Sequence, residues 1–380
     1  MKFTKIAASL LLTAGAIQSL EIDSLLAQSL ETLDAQNITA KRDNAQCHLG
    51  NVSVRREWGT LSKAEKLNYI SAVQCLGKKP ALTPAAIAEG AKTRYDDFVV
   101  THIIQTRTIH FTGNFLSWHR YFVWSYEQAL RNECGYKGAH PYYNWAKYPD
   151  PRKSPLFDGS ETSLSGDGVF IPGRNDTCVP TAENCLVRLK PANGGGCVTQ
   201  GPFKDWKLHL GPVQTVWPGI PPNPQANGLG YNPRCLSREL SPQAAMNASD
   251  NDIVSLILGN RDIKSFQDHM QNVVAGDLGL HGAGHYMIAG DANGDLFNSP
   301  SDPAFFMHHS MIDLVWWVWQ TLDLKTRQNA IAGTITFMNL NPSRDATLDD
   351  ILSVGYAGPP NIPIRNAMST MAGPFCYIYL

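Results

Sequence analysis

The sequence has no surplus of charge of either sign: 32 Lys and Arg stand against 33 Asp and Glu in 380 residues, a net charge of −1. Without a basic field nothing gathers phosphates, which argues against a nucleic-acid partner, and no acidic tail is present to attract cations. Long apolar runs are also missing beyond the N-terminus. The longest, 311–319, is interrupted by Asp313 and falls well short of the roughly 20 residues that cross a bilayer, so no membrane partner is expected. No Cys-x-x-Cys occurs, which disfavours a thiolate zinc site or a thioredoxin-like redox motif. There is no internal repeat or low-complexity tract. What is present is 43% hydrophobic residues, enough to bury a substantial core in one large domain or two ordinary ones.

The N-terminus has the layout of an export signal. Lys2 and Lys5 precede the apolar stretch 6–17, a charged segment followed by a hydrophobic one, so residues 1–20 read as a signal peptide. Residues 21–42 are acidic and polar and end in the dibasic pair Lys41-Arg42, a candidate pro-segment, with a single domain over 43–380. Eight cysteines, an even number, predict disulfides in an exported chain, though spacing does not assign their pairing. Sequons at Asn37, Asn51, Asn175 and Asn247 fit a secreted, extracellular glycoprotein, with N-glycans expected at Asn51, Asn175 and Asn247.

Apolar residues at helical spacing predict a helix over 62–76, with Ser62 as N-cap and Gly77 following. Further helices are predicted over 91–108 and 116–132, separated by the Gly113-Asn114 break, then over 252–274, 281–287 and 304–322, the last opened by Asp302-Pro303. Between the two helix-rich regions, 148–249 carries many Gly and Pro and no sustained periodicity, and reads as long ordered loops stapled by disulfides. Neither region can bury its apolar faces alone. The expected fold is therefore mainly α, the two regions packing together as one helical core.

Histidine spacing is the most informative feature. His102, His110 and His119 lie in the first helical region; His281, His285 and the pair His308-His309 lie in the second. His281 and His285 stand four apart, so on a helix both imidazoles project from one face and can share a metal. Gly282-Ala283-Gly284 between them rules out a His-Glu-x-x-His protease, and these small residues predict open space beside the helix for a ligand or second metal. Imidazole suits copper, zinc, iron and nickel, and three neutral histidines leave a metal with an open position and no compensating charge. Two such sites facing each other favour an anionic bridge. His48, His140, His209 and His269 have no partner pattern and read as ordinary surface or core histidines.

Two segments sharpen this reading: Asn114-Phe115-Leu116-Ser117-Trp118-His119-Arg120 and Ser301-Asp302-Pro303-Ala304-Phe305-Phe306-Met307-His308-His309. They resemble the copper-binding signatures of the type 3 copper proteins, the tyrosinases, catechol oxidases and haemocyanins, and most of all those of secreted fungal tyrosinase-like enzymes. The resemblance extends over 54–379, including Arg55-Arg56-Glu57-Trp58 and Tyr142-Tyr143-Asn144-Trp145. It implies a four-helix-bundle core holding two copper ions, one on His102, His110 and His119, the other on His281, His285 and His309. His308 becomes a group behind the ligands, and Asp313 a residue that orients a ligand imidazole. An arginine, Arg55 or Arg56, is then expected to stack on Tyr377 and Tyr379, with Cys47 and Cys376 candidates to be joined across the same closure. Two departures matter. Thr108 stands where related fungal enzymes often carry a cysteine cross-linked to the second histidine. Tyr377-Ile378-Tyr379 is followed by Leu380 and not by the C-terminal domain that plugs the site in longer relatives, so a lid-free catalytic domain is expected.

The implied reaction is oxidation of o-diphenols to o-quinones with reduction of O2 to water, acting on small phenols and O2. Gln271 and Asp277 precede the second metal helix and are candidates to hold a deprotonating water. Gly282 stands where relatives active on monophenols often place Asn, which favours catechol oxidation. Leu296, with Phe297 beside it, matches a gate position that is Phe in plant catechol oxidases, and a Leu leaves more room for monophenols or aminophenols. The competing readings are a tyrosinase with substantial monophenol hydroxylase activity, a haemocyanin-like O2 carrier, and a zinc hydrolase. The last is disfavoured by the missing Glu.

Overall fold

The structure, a computed structural model, describes residues 21–40, 47–214 and 217–380. Its helices are α1 Ile22–Ala40, α2 Lys63–Leu76, α3 Asp96–Ile109, α4 Phe115–Cys134, α5 Pro242–Ala245, α6 Asp250–Gly259, α7 Ile263–Gln271, α8 Gly279–Tyr286, α9 Gly290–Asn293, α10 Ala304–Thr321 and α11 Leu324–Arg327. Every residue of α10 is buried. A helix apolar around its whole circumference must be surrounded; α4, α8, α6 and α1 all pack against it. Each fully buried large side chain on it contributes about 1.5–3 kcal/mol. With α3 lying against α4, helices α3, α4, α8 and α10 form the helical core that the sequence predicts. No helix among the described residues is long and apolar enough to cross a membrane.

Helix ends follow local chemistry. Ser62 Oγ accepts from the Glu65 amide at 3.3 Å while Glu65 accepts from the Ser62 amide at 2.8 Å, a capping box that starts α2 where the sequence places it. The single helix expected over 252–274 is two. Asn260 is extended, and Asp262 caps a new start by accepting from the Ser265 amide at 2.9 Å; the cap outcompetes the continuing periodicity. Likewise α3 begins at Asp96 instead of residue 91, because the Asp96 carboxylate accepts from the Lys92 and Thr93 amides and holds them out of the helix. At the start of α10, Asp302 accepts from the Ala304 amide at 2.9 Å and pairs with the buried Arg238 at 2.8 Å.

The loop-rich region carries short antiparallel ladders, Gly168–Phe170 with Gly195–Val198, Thr177–Pro180 with Cys185–Leu189, and Lys207–Leu208 with Arg234–Cys235. Disulfides Cys178–Cys185 and Cys197–Cys235 staple it. Arg238 gathers its carbonyls, donating to Leu164, Ser165 and Gly166. Cys75–Cys134 ties the end of α2 to that of α4.

The chain closes on itself where Ser53–Arg55 pairs in parallel with Tyr377–Tyr379, beside the Cys47–Cys376 disulfide. Arg55, not Arg56, stacks on the tyrosines: its guanidinium lies 3.6 Å from the Tyr377 ring centroid, whereas Arg56 pairs with Glu65 at the surface. Residues 1–20 and the dibasic pair Lys41-Arg42, on which the export and processing readings fall, lie outside the described residues. Of the candidate pro-segment, Ile22, Leu25, Leu26 and Ser29 are buried, with Thr321 donating to Ser29 at 2.7 Å. The stretch that composition marks as polar thus has an apolar face at i, i+3, i+4 spacing, and that face docks on α10 and α6.

Candidate metal centre

Three elements deliver the first group of histidines. His102 projects from the middle of α3, His110 is its C-cap in extended conformation, and His119 comes from α4. Their ring centroids lie 5.0, 5.0 and 5.8 Å apart. Each ring is oriented by one contact: Nδ1 of His102 reaches the Phe297 carbonyl at 2.8 Å, that of His110 the Thr106 carbonyl at 2.9 Å, and that of His119 the Phe115 carbonyl at 2.8 Å. A carbonyl only accepts, so Nδ1 must donate in all three, leaving the lone pair on Nε2. All three Nε2 atoms are buried without a hydrogen-bond partner.

The second group gathers His281 and His285 from α8 and His308 and His309 from α10, with nitrogens of all four within 4.8 Å of one another. The Nε2 atoms of His281 and His285 lie 3.1 Å apart, a separation suited to a shared proton or ion. The groups face each other: His119 stacks on His309 at 4.4 Å between centroids, and His110 lies 5.8 Å from His281. Phe305 packs against both groups, 5.2 Å from His102 and 4.2 Å from His309, and Phe115 does the same at 4.9 Å from His119 and 5.0 Å from His281.

Burial pushes all seven imidazoles below their ordinary value of 6.5, and for most of them neighbouring histidines add to the shift. His110 is held at about 4 and His285 at about 3, burial being the main cause in each. The rings are therefore neutral near pH 7, the form that binds metal. Buried nitrogens without partners are uncommon in folded proteins, and here they converge on two facing points. This donor set fits copper, for which neutral imidazole is a suitable ligand.

The remaining expected residues divide. Space beside α8 is open at only one of the two glycines between His281 and His285. A Cβ on Gly282 would meet nothing nearer than Leu278 at 3.6 Å, but one on Gly284 would fall 2.0 Å from His308 Cε1, so His308 fills that side. His308 sits within the second cluster itself, 5.3 Å from Trp145, with both ring nitrogens unpartnered. Asp313 orients no imidazole. It accepts from Arg120 Nε, Tyr377 and Tyr379, each at 2.6 Å, and from Arg55 at 3.4 Å, because these buried donors surround its carboxylate one turn beyond His309. Gln271 spends its side-chain oxygen on the Phe111 amide at 2.8 Å, and exposed Asp277 caps Gly279, so neither points to the cluster as a base. Thr108 is exposed and bonded to the Gln105 carbonyl. Leu296 and Phe297 line an open cleft outside the first triad. Of the background histidines, His140 meets Tyr69, His209 meets Asp96 and His269 meets Asn260. Missed from sequence were the Phe297 carbonyl under His102 and the ring roles of Phe115 and Phe305; both aromatics stand inside the quoted motifs, the only signal available for them.

A family model described as the common central domain of tyrosinase matches residues 92–322. The chain is 44% identical over 304 residues to tyrosinase-like protein orsC of Emericella nidulans, covering 77% of this chain and 80% of that one. It is 39% identical over 335 residues to Tyrosinase P of Aspergillus terreus, covering 86% and 91%. Among solved structures, a point mutant of the polyphenol oxidase from Thermothelomyces thermophila superposes with a TM-score of 0.88 at 40% identity, covering 94% of this chain and 97% of that one.

Proposed function

This chain belongs to the tyrosinase family of copper oxidases, and from that premise we propose that it oxidises o-diphenols to o-quinones while reducing O2 to water. The observation that supports this most is the pair of facing histidine groups, whose free nitrogens converge in a buried, uncharged setting. His102, His110 and His119 would hold one copper ion, and His281, His285 and His309 the other. Copper bound there supplies a two-electron redox couple and Lewis acidity toward the phenolic oxygen and O2.

The chain's own residues prepare that chemistry. The carbonyls of Phe297, Thr106 and Phe115 hold the first triad's rings with Nε2 presented inward. Phe115 and Phe305 wall the space with apolar surface, excluding water and strengthening electrostatic interactions inside. Gly282 crowds nothing beside α8, an added Cβ meeting only Leu278 at 3.6 Å, and brings no polar group to hold a deprotonating water, which favours diphenols over monophenols. Leu296, half-exposed at the cleft, is the observation that favours a second reading with some monophenol or aminophenol oxidation. The same openness opposes a haemocyanin-like carrier, which must shield its metals.

Export belongs to the same proposal. Four disulfides suit an oxidising compartment, and Asn51 and Asn175 are exposed where glycans would sit; Asn247 is half-buried. The test is O2 consumption by copper-loaded protein with catechol and with a matched monophenol. Rapid uptake with catechol and slow uptake with the monophenol is expected. Reversible O2 binding without quinone formation, or activity with two zinc ions and no copper, would refute the proposal.

A further inference from the structure

We propose that Gln271 is a positioning residue that sets the spacing between the two histidine groups, by tying the backbone after His110 to the chain that enters α8. This rests on the two-copper reading and adds to it a residue outside both donor sets. Of the six histidines assigned to copper, His110 alone lies outside a helix. α3 ends at Ile109, and His110 is extended, with φ −121° and ψ 142°. The Thr106 carbonyl holds its ring against α3, but the chain must turn at once to start α4 at Phe115. It turns at Phe111, whose φ of 51° is costly for a residue with a Cβ. Such a conformation persists only where its surroundings enforce it. The Phe111 amide donates to Gln271 Oε1 at 2.8 Å, and Gln271, 4% exposed, is the last residue of α7. The next tie, from the Gly113 amide to the Thr334 carbonyl, comes two residues later.

The other end of the tie leads to the second group. Val274 and Asp277 exchange backbone hydrogen bonds at 2.9 and 3.0 Å, which makes the connection from α7 to α8 a tight turn. Gly279, the first residue of α8, then packs on the end of α7: its φ is 65°, and a Cβ there would fall 2.9 Å from the Met270 carbonyl oxygen and 3.0 Å from that of Asn272. The residues flanking Gln271 thus press on the chain two positions before His281. His110 and His281 face each other with ring centroids 5.8 Å apart, and the Gln271 bond joins the segments that carry them. Two cations held side by side repel, so their separation must be imposed by the groups that support the ligands. Gln267, one turn earlier on α7, is the natural control. It is similarly buried, at 5% exposure, and donates to the Ala332 carbonyl at 2.9 Å, but Ala332 adjoins no ligand.

The test uses Gln271→Met, which keeps the length of the side chain and removes the acceptor, Gln271→Glu, which keeps an acceptor, and Gln267→Met. Copper titration against a competing chelator should show one of two copper ions bound about tenfold more weakly in Gln271→Met, with wild-type binding in the other two. Electron paramagnetic resonance of the copper-loaded proteins should show a gain of uncoupled copper(II) signal in Gln271→Met alone, which a general loss of stability does not produce. Amide exchange in the metal-free protein reads the tie without copper: protection at Phe111 should fall about tenfold in Gln271→Met and hold in Gln271→Glu. Should Gln271→Met not fold, Gln271→Asn, which withdraws the acceptor by one methylene, carries the same comparison. Unchanged copper affinity and signal in Gln271→Met, or equal weakening by Gln267→Met, overturns the inference and leaves the oxidase reading intact. If the wild type binds no pair of copper ions, the two-copper reading fails, and exchange at Phe111 still decides whether Gln271 holds the turn after His110.

Discussion

Replacing Gly284 by alanine tests how the second histidine cluster is packed, because the same substitution two residues earlier makes a control. At Gly284 the added Cβ would fall 2.0 Å from His308 Cε1 and 2.1 Å from its Nδ1; at Gly282 the nearest atom is 3.6 Å away. His308 has no exposure and is backed by Trp145, so its ring cannot retreat and α8 must shift instead. Both variants gain roughly 0.5–1 kcal/mol from removing glycine inside a helix, and these gains cancel in the comparison. The overpacking cost remains, about 1–3 kcal/mol, and the immobile ring places it near the upper end. Unfolding entropy of about 2.1 cal/mol/K per residue gives ~0.8 kcal/mol/K for a chain of this size, so Gly284→Ala should melt about 2–4 °C below Gly282→Ala. Displacement of α8 moves His281 and His285 together, so Gly284→Ala should also lose copper from one of its two sites while Gly282→Ala retains both. Matched scanning calorimetry and metal analysis of the two variants read both effects. Equal melting temperatures with equal copper content would show that His308 does not fill the space beside Gly284.

Other consequences follow from the same geometry. His309→Asn should reduce copper to about one ion per chain, whereas His308→Asn should keep two; the reverse result would exchange their roles. Asp313→Asn removes the charge that four buried donors share, and breaking such a buried pair costs about 3–5 kcal/mol, measurable by chemical denaturation. Burial alone would raise the Asp313 pKa, but Arg120, Arg55 and the two tyrosines bring it below 3.8. Its contribution is therefore complete above about pH 4 and lost as pH falls further, so the wild type should lose stability more steeply there than Asp313→Asn. The histidines act at higher pH. With folded pKa values below 6.5, the unfolded chain binds more protons, so metal-free protein should lose stability as pH drops from 6.5 through the value of about 4 at His110. Stability flat across that window would contradict the burial of these rings.

Helix positions were legible where a cap or an unbroken apolar pattern was decisive, as at Ser62 for α2 and throughout α10. They were misread where a carboxylate competed with periodicity. Asp262 divided one expected helix into α6 and α7, and Asp96 delayed the start of α3, because a side chain that satisfies backbone amides at a helix end outweighs one more turn of apolar spacing. Asp313 shows the same limit at longer range. Its motif position suggested a partner imidazole, yet the donors that reach it come from Arg55, Arg120, Tyr377 and Tyr379, separated from it by up to 258 residues.

By itself the sequence determined which imidazoles were available and that His281 and His285 share one face, since helical periodicity is local and follows from residue spacing. It also carried the motifs that mark a type 3 copper protein. Only the tertiary structure decided that His119 faces His309, that His308 occupies the space beside Gly284, and that a carbonyl at Phe297 orients His102. Each of these depends on where α3, α4, α8, α10 and the loops between them cross. That is set by the summed burial of side chains far apart in the chain, which no local pattern records.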